Sequence, residues 1–185
     1  MKRRTASARA DRAERRAGTD EVARASRPGS FAGLHVSDYE FIMSLRIRHP
    51  NIDPAEITLG LRIEPQHTWR AGDMRRGRAG EELGGTHRAT YWMGRLMAKP
   101  EVARDHVGLE SEILRALGTL RRSVDLLKRL KEEGGSAELH VSLYAREEFH
   151  LELLPESLSA LGRLGLALAL DVKPNPEDPS GAALN

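Results

Sequence analysis

Residues 51–73 read NIDPAEITLGLRIEPQHTWRAGD. Asp53 has the chemistry of a helix N-cap, Pro54 suits the first helical position, and Glu56 stands where its carboxylate reaches back to the cap's own N–H. Ile52 and Ile57 occupy the two hydrophobic-staple positions. Gly60 and then Pro65 end the helix within about two turns. The stretch therefore predicts a short, sharply begun helix and then a segment carrying Thr68, Trp69 and Arg70.

Working outward, YEFIMSLRIR puts Phe41, Met43, Leu45 and Ile47 on one side of a strand, with Glu40, Ser44, Arg46 and Arg48 opposite. Residues 70–88 hold five glycines and almost nothing apolar, which predicts a long loop. ATYWMGRL reads as a strand. Ile113, Leu117, Leu120, Val124, Leu127 and Leu130 recur at spacings of three and four. That is one amphipathic helix from Leu109 to Glu133, broken near Gly118 and ended by Gly134-Gly135. AELHVSLYA turns Leu139, Val141 and Leu143 inward and leaves His140, Ser142 and Tyr144 on an exposed face. FHLEL predicts a short strand and PESLSALGRLG a short helix; LALALDV is a strand with Leu166, Leu168, Leu170 and Val172 on one face.

SLRI…IDPAEITLGL and SLYA…LLPESLSALGRLGL share a strand, a loop, a proline-led helix and a Leu-Gly-Leu exit. The expected fold is a single α+β domain over residues 38–172. Its sheet is mainly antiparallel with helices on one face, built as two ferredoxin-like pseudo-repeats. Residues 1–30 read as a basic disordered tail and 173–185 as a disordered Pro-rich tail.

The formal charge of +2 is unevenly divided. Residues 1–30 hold nine Lys or Arg against four acids, a net of +5, so the rest of the chain carries −3. The high pI belongs to the tail, and a basic nucleic-acid-gripping face is not implied for the domain. Cysteine is absent, which removes disulfides and thiolate chemistry and fits a reducing cytosol. No apolar run of about 18 residues appears, and the basic start lacks the apolar core of a secretory signal. The expected location is cytoplasmic.

These residues resemble a family. IDPAEITLGLRIEPQHTWRAGD, followed after a gap by TYWMG, is similar to the uncharacterised bacterial family called domain of unknown function 4279. Asp53, Pro54, Glu56, Ile57, Thr58, Ile63, Glu64, Pro65, Trp69, Arg70, Gly72 and Trp92 carry the resemblance, with Pro155, Glu156, Leu161 and Gly162 more loosely. Arg62 departs from the pattern, standing where members tend to have a helix-exit glycine, and Gln66-His67 separates Pro65 from Thr68. A left-handed Arg62 costs about 1 kcal/mol. The resemblance implies a fold over residues 38–172 and no activity.

The residues marked as candidate ligand or partner contacts are Trp69, Arg70, Arg75 and Arg76. An indole beside a guanidinium can pack a ligand and pair with its acid; the competing reading makes Trp69 a core or sheet-edge ring and Arg70 a solvated charge. Trp92, within a strand, reads as core. Arg75-Arg76-Gly77-Arg78-Ala79-Gly80 lacks the Gly-Lys-Ser/Thr of a phosphate loop and reads as a solvated flap. The seven histidines show no metal-ligand spacing, and no catalytic set or cofactor motif is found. Three functions remain open. The first is a non-enzymatic protein-interaction module of immunity type with a protein partner. The second is a nucleic-acid-associated protein using the basic N-terminal tail. The third is a small-molecule binder or enzyme with a cleft at Trp69 and Arg70.

Overall fold

A computed structural model of the chain describes residues 39–103, 106–146 and 149–174. The tails anticipated at 1–30 and 173–185 lie outside these residues, except that Lys173 and Pro174 end the last strand.

Strand β1 (Tyr39–His49) alternates as its sequence demands, with Tyr39, Phe41, Met43, Leu45 and Ile47 all at most 1% exposed. His49 ends it by accepting the Ile52 N–H on Nδ1 at 2.9 Å, which shapes the turn into helix α1 (Pro54–Leu61). Asp53 caps α1 through the Ala55 N–H at 2.9 Å, and Ile52 and Ile57 are buried as a staple. One expected contact is replaced: the Glu56 carboxylate pairs with Arg129 at 3.3 Å, tying α1 to a helix much later in the chain. Arg62 closes α1 with φ 57 and ψ 39, its N–H donating to the Thr58 carbonyl at 2.8 Å. That is the left-handed conformation expected at the position where the resemblance implies a helix-exit glycine.

Strand β2 (Pro65–Trp69) pairs with β5 (Thr90–Arg95), and β5 pairs with β1. Between β2 and β5 the expected long loop is instead a second, two-stranded sheet of β3 (Met74–Arg76) and β4 (Glu82–Thr86). Its ladder is backbone only, continued at its base by Gly72 and His87, so apolar alternation gives no sign of it. Strand β6 (Glu101–Ala103) adds to the start of β1.

Helix α2 (His106–Leu120) and helix α3 (Val124–Glu132) form the predicted amphipathic run, interrupted by a 3-10 turn at Arg121–Ser123 rather than at Gly118. Strand β7 (Ser136–Ala145) then pairs antiparallel with β1 along its length. No strand forms at FHLEL among the described residues; helix α4 (Pro155–Arg163) leads to β8 (Ala167–Pro174), which lies parallel to β7.

The main order is β2-β5-β1-β7-β8, with β6 on β1. Since β5 is antiparallel to both its neighbours, β2 runs parallel to β1 with β5 between them. In the same way β5 runs parallel to β7 with β1 between. These are two interleaved strand–helix–strand units, β1-α1-β2 and β5-α2-α3-β7, the ferredoxin-like β-α-β-β-α-β arrangement. The second unit is not the one that the Leu-Gly-Leu match suggests. The segment α4-β8, which carries that match, is an addition at the sheet edge.

One face of the sheet is covered by the helices. Trp92, 0% exposed, sits there with its indole N–H donating to Thr58 Oγ1 at 3.0 Å. Its ring lies across Gly94, where an added Cβ stands 2.4 Å from the indole, so that position tolerates no side chain. Leu139, Val141 and Leu143 complete the layer from β7. The expected inward row on β8 fails at its end: Leu166 is buried, but Leu170 and Val172 are 44% and 58% exposed at the sheet's edge. Helix α4 lacks a side-chain cap of its own. Buried Glu110 of α2 supplies one, accepting the Leu154 N–H at 2.9 Å and the Ser157 hydroxyl at 2.7 Å.

Candidate functional site

The other face of the sheet has no helix packed on it among the described residues. Strand parity decides what it shows. Because Trp92 and Thr68 point to the helices, their neighbours Tyr91 and Trp69 point away. Register then aligns Trp69 of β2, Tyr91 of β5 and Arg48 of β1 in one row across three strands. Trp69 stacks on Tyr91 with ring centroids 4.4 Å apart and planes 22° from parallel. On its other side His87 stacks at 4.4 Å and 18°. The Arg48 guanidinium lies 5.9 Å from the centre of the Tyr91 ring, within cation–π reach. Burial raises the Tyr91 phenol above its usual 10.0, against the opposing pull of Arg46 and Arg48, so the hydroxyl stays a neutral donor at physiological pH.

Farther along the same face, Arg46 pairs with Glu138 at 3.7 Å. Lys173 pairs with Asp171 at 2.9 Å and lies 6.0 Å from the Tyr144 ring centre. The Lys173 ammonium, through its hydrogen bond, holds the Asp171 carboxyl below 3.8, and Asp171 raises Lys173 above 10.5 in return. His140 and Ser142, expected to be exposed, are 5% and 9% exposed. They sit mid-strand on β7, an interior strand flanked by β1 and β8. Desolvation, and then the charge of Arg46, lowers the His140 imidazole below 6.5, so it is neutral at pH 7; Asp171, 3.9 Å away, opposes the shift. No hydrogen bond joins Ser142 to His140 among those of the described residues, and no group of three or more His, Asp and Glu is placed there to hold a metal ion.

The four residues singled out from the sequence are not brought together. Trp69 is the half-buried centre of the stack. The Arg70 guanidinium instead turns to Asp53, latching the end of β2 to the cap of α1, while its own N–H donates to Asp73 Oδ2 at 2.7 Å. The Ala55 N–H, and then Arg70, hold the Asp53 carboxyl below 3.8. Arg75 and Arg76 stand exposed on β3. The loop beyond them does not present a row of free N–H groups: Gly77 and Gly80 donate within the loop, and Ala79 donates to the Glu81 carboxylate at 3.0 Å. An anion there would have to displace an acidic side chain.

Tyr91, Arg48 and His87 are the members of the stack that sequence reasoning misses. Arg48 was legible as a strand residue on the polar side and Tyr91 only as part of a strand; placing them beside Trp69 requires the register between strands.

A ferredoxin-like α+β domain with one sheet face free of helices among the described residues, carrying an aromatic and arginine row, is thus the class that fold and site define. The chain belongs to the family described as Domain of unknown function (DUF4279), whose model matches residues 39–175. Comparison with curated proteins and with solved structures gave no match. Among the described residues no helix is long and apolar enough to cross a membrane.

Proposed function

We propose that this domain is a non-catalytic protein-interaction module that meets its partner at the Trp69 end of the uncovered sheet face. One observation carries the reading: His87, Trp69, Tyr91 and Arg48 form a continuous stacked row that is already ordered. Trp, Tyr and Arg are the residue types that dominate protein-interface hot spots, and a preordered row loses little rotamer freedom on binding. Arg95, exposed on the same strand and face as Tyr91 but two side chains farther along, opposite Ser44, makes no ion pair among the described residues and puts a charge on that face to steer a partner.

The test is site-specific photocrosslinking in the native cell. A photoreactive residue at Arg95 reports on the open face; the same residue at Leu59, 80% exposed on α1, reports on the helix layer. A discrete protein adduct from position 95, absent from position 59 and lost with Tyr91→Ala plus Arg48→Ala, is expected. A nuclease-sensitive adduct would instead favour the nucleic-acid reading, with the basic N-terminal tail supplying affinity that falls steeply with salt. Adducts from position 59 alone would move the site to the helices.

A further inference from the structure

The helix layer has a second feature, separate from the open face. Helices α2 and α4 pack side by side, and Glu110 pins the first turn of α4 to the first turns of α2. Beyond that contact, residues of both helices and of the turn after α2 line a groove of about 690 Å³. Leu117, Val124, Ala160 and Leu164 give it an apolar floor, and Leu114, 42% exposed, forms one wall. Counting from the Glu110 contact, Arg121 and Arg163 both line the groove at the C-terminal ends of their helices, and Glu156, two turns before Arg163 on α4, lines it nearer that contact. Neither Arg121 nor Arg163 makes an ion pair among the described residues, and both are exposed. Two uncompensated guanidiniums at the end of an apolar trough form a polarised site, greasy along its length and cationic at one end.

Gly118 adds an independent point. It lies inside α2, where glycine costs about 1 kcal/mol relative to alanine. Nothing in the fold requires it: its φ is negative, and a Cβ built there meets no atom within 4 Å. The space it leaves open is the groove itself.

We propose that this groove binds a free small organic acid with an apolar body, a medium-chain acyl or aryl carboxylate. The body lies along Leu114, Leu117, Val124 and Leu164, and the carboxylate is held between Arg121 and Arg163. The volume falls within the range of small-molecule pockets, roughly 300–1,000 Å³, and a paired guanidinium site suits the two oxygens of a carboxylate.

Decanoate is the probe, titrated calorimetrically into the full chain at a concentration below its micelle onset. Saturable binding of one decanoate per chain is expected, with decylammonium binding at least tenfold more weakly. Gly118→Leu, which fills the trough without a backbone clash, abolishes that binding while leaving the far-ultraviolet spectrum and urea midpoint of a folded chain. Arg121→Gln with Arg163→Gln weakens it tenfold or more. The basic N-terminal segment is present in every variant, so its own attraction for anions cancels in the comparison between variants. The proposal is overturned if decanoate and decylammonium bind alike, if Gly118→Leu leaves the affinity unchanged, or if no binding is seen at millimolar probe. It is equally overturned if the chain binds anionic phosphatidylglycerol vesicles but not free decanoate.

Discussion

The two faces of the sheet are made from the same strands and differ in kind. On β1, Tyr39, Phe41, Met43, Leu45 and Ile47 face the helices, while Glu40, Ile42, Ser44, Arg46 and Arg48 face away. The two tryptophans divide the same way. Trp92 is enclosed, with its N–H satisfied by Thr58, and Trp69 is half-buried in a stack. The same residue type serves the core on one side and a displayed row on the other. Burial, rather than residue identity, decides which role a ring plays.

The comparison breaks first at Trp92. Trp92→Ala removes the largest enclosed ring and the N–H that Thr58 Oγ1 accepts, with an expected loss of about 3–5 kcal/mol, enough to unfold much of the population of a typical domain. Urea denaturation measures it; a midpoint near wild type would mean that the ring is not core. Next comes Glu110→Ala, which leaves the Leu154 N–H and the Ser157 hydroxyl without their acceptor in the helix layer. About 1–3 kcal/mol is expected, with Glu110→Gln recovering part of it through the remaining carbonyl. A Gln variant no better than Ala would deny the trans-capping role.

Trp69→Ala should cost less, about 1–2 kcal/mol, because the ring is half exposed and loses stacking rather than a sealed cavity. The same denaturation series ranks it against Trp92→Ala, and a loss equal to that of Trp92→Ala would erase the distinction between the faces. The smallest effect concerns His140. Its folded pKa lies below the usual 6.5, so the stability tied to the neutral ring is fully present above 6.5 and is lost as pH falls through the folded value. His140→Gln should therefore flatten the decline in urea midpoint between neutral pH and about pH 5. An NMR titration giving a midpoint above 6.5 would reverse the sign and refute the desolvated site.

How much of this was legible in the sequence differs by element. Strand β1, the capped start of α1 and the α2–α3 run were readable because apolar period and cap chemistry agree there. The β3–β4 hairpin was not, since its glycines and exposed side chains give no alternation and its order comes from backbone bonds. Asp53 showed as a cap, but its pairing with Arg70 depends on where β2 ends relative to α1. The stack needed cross-strand register, and the groove needed two arginines, at positions 121 and 163, brought together by a helix pair. Local chemistry was visible; juxtaposition of distant segments was not.

The central pairing of β1 has a consequence for the order of assembly. Tyr39 pairs with Ala145, so the β1–β7 ladder closes across about a hundred residues of chain. At roughly 5–20 residues per second of synthesis, β1 waits some 5–20 s for this partner. Strand β5 emerges much sooner and pairs along its opposite edge, with β2 added on the outside of β5. The growing chain is therefore expected to hold a three-stranded half-sheet whose unpaired edge belongs to its most apolar strand, the kind of template that invites mispairing with another chain. Protease protection of β1 in ribosome-stalled chains should accordingly rise in two steps, the second only after β7 has cleared the exit tunnel.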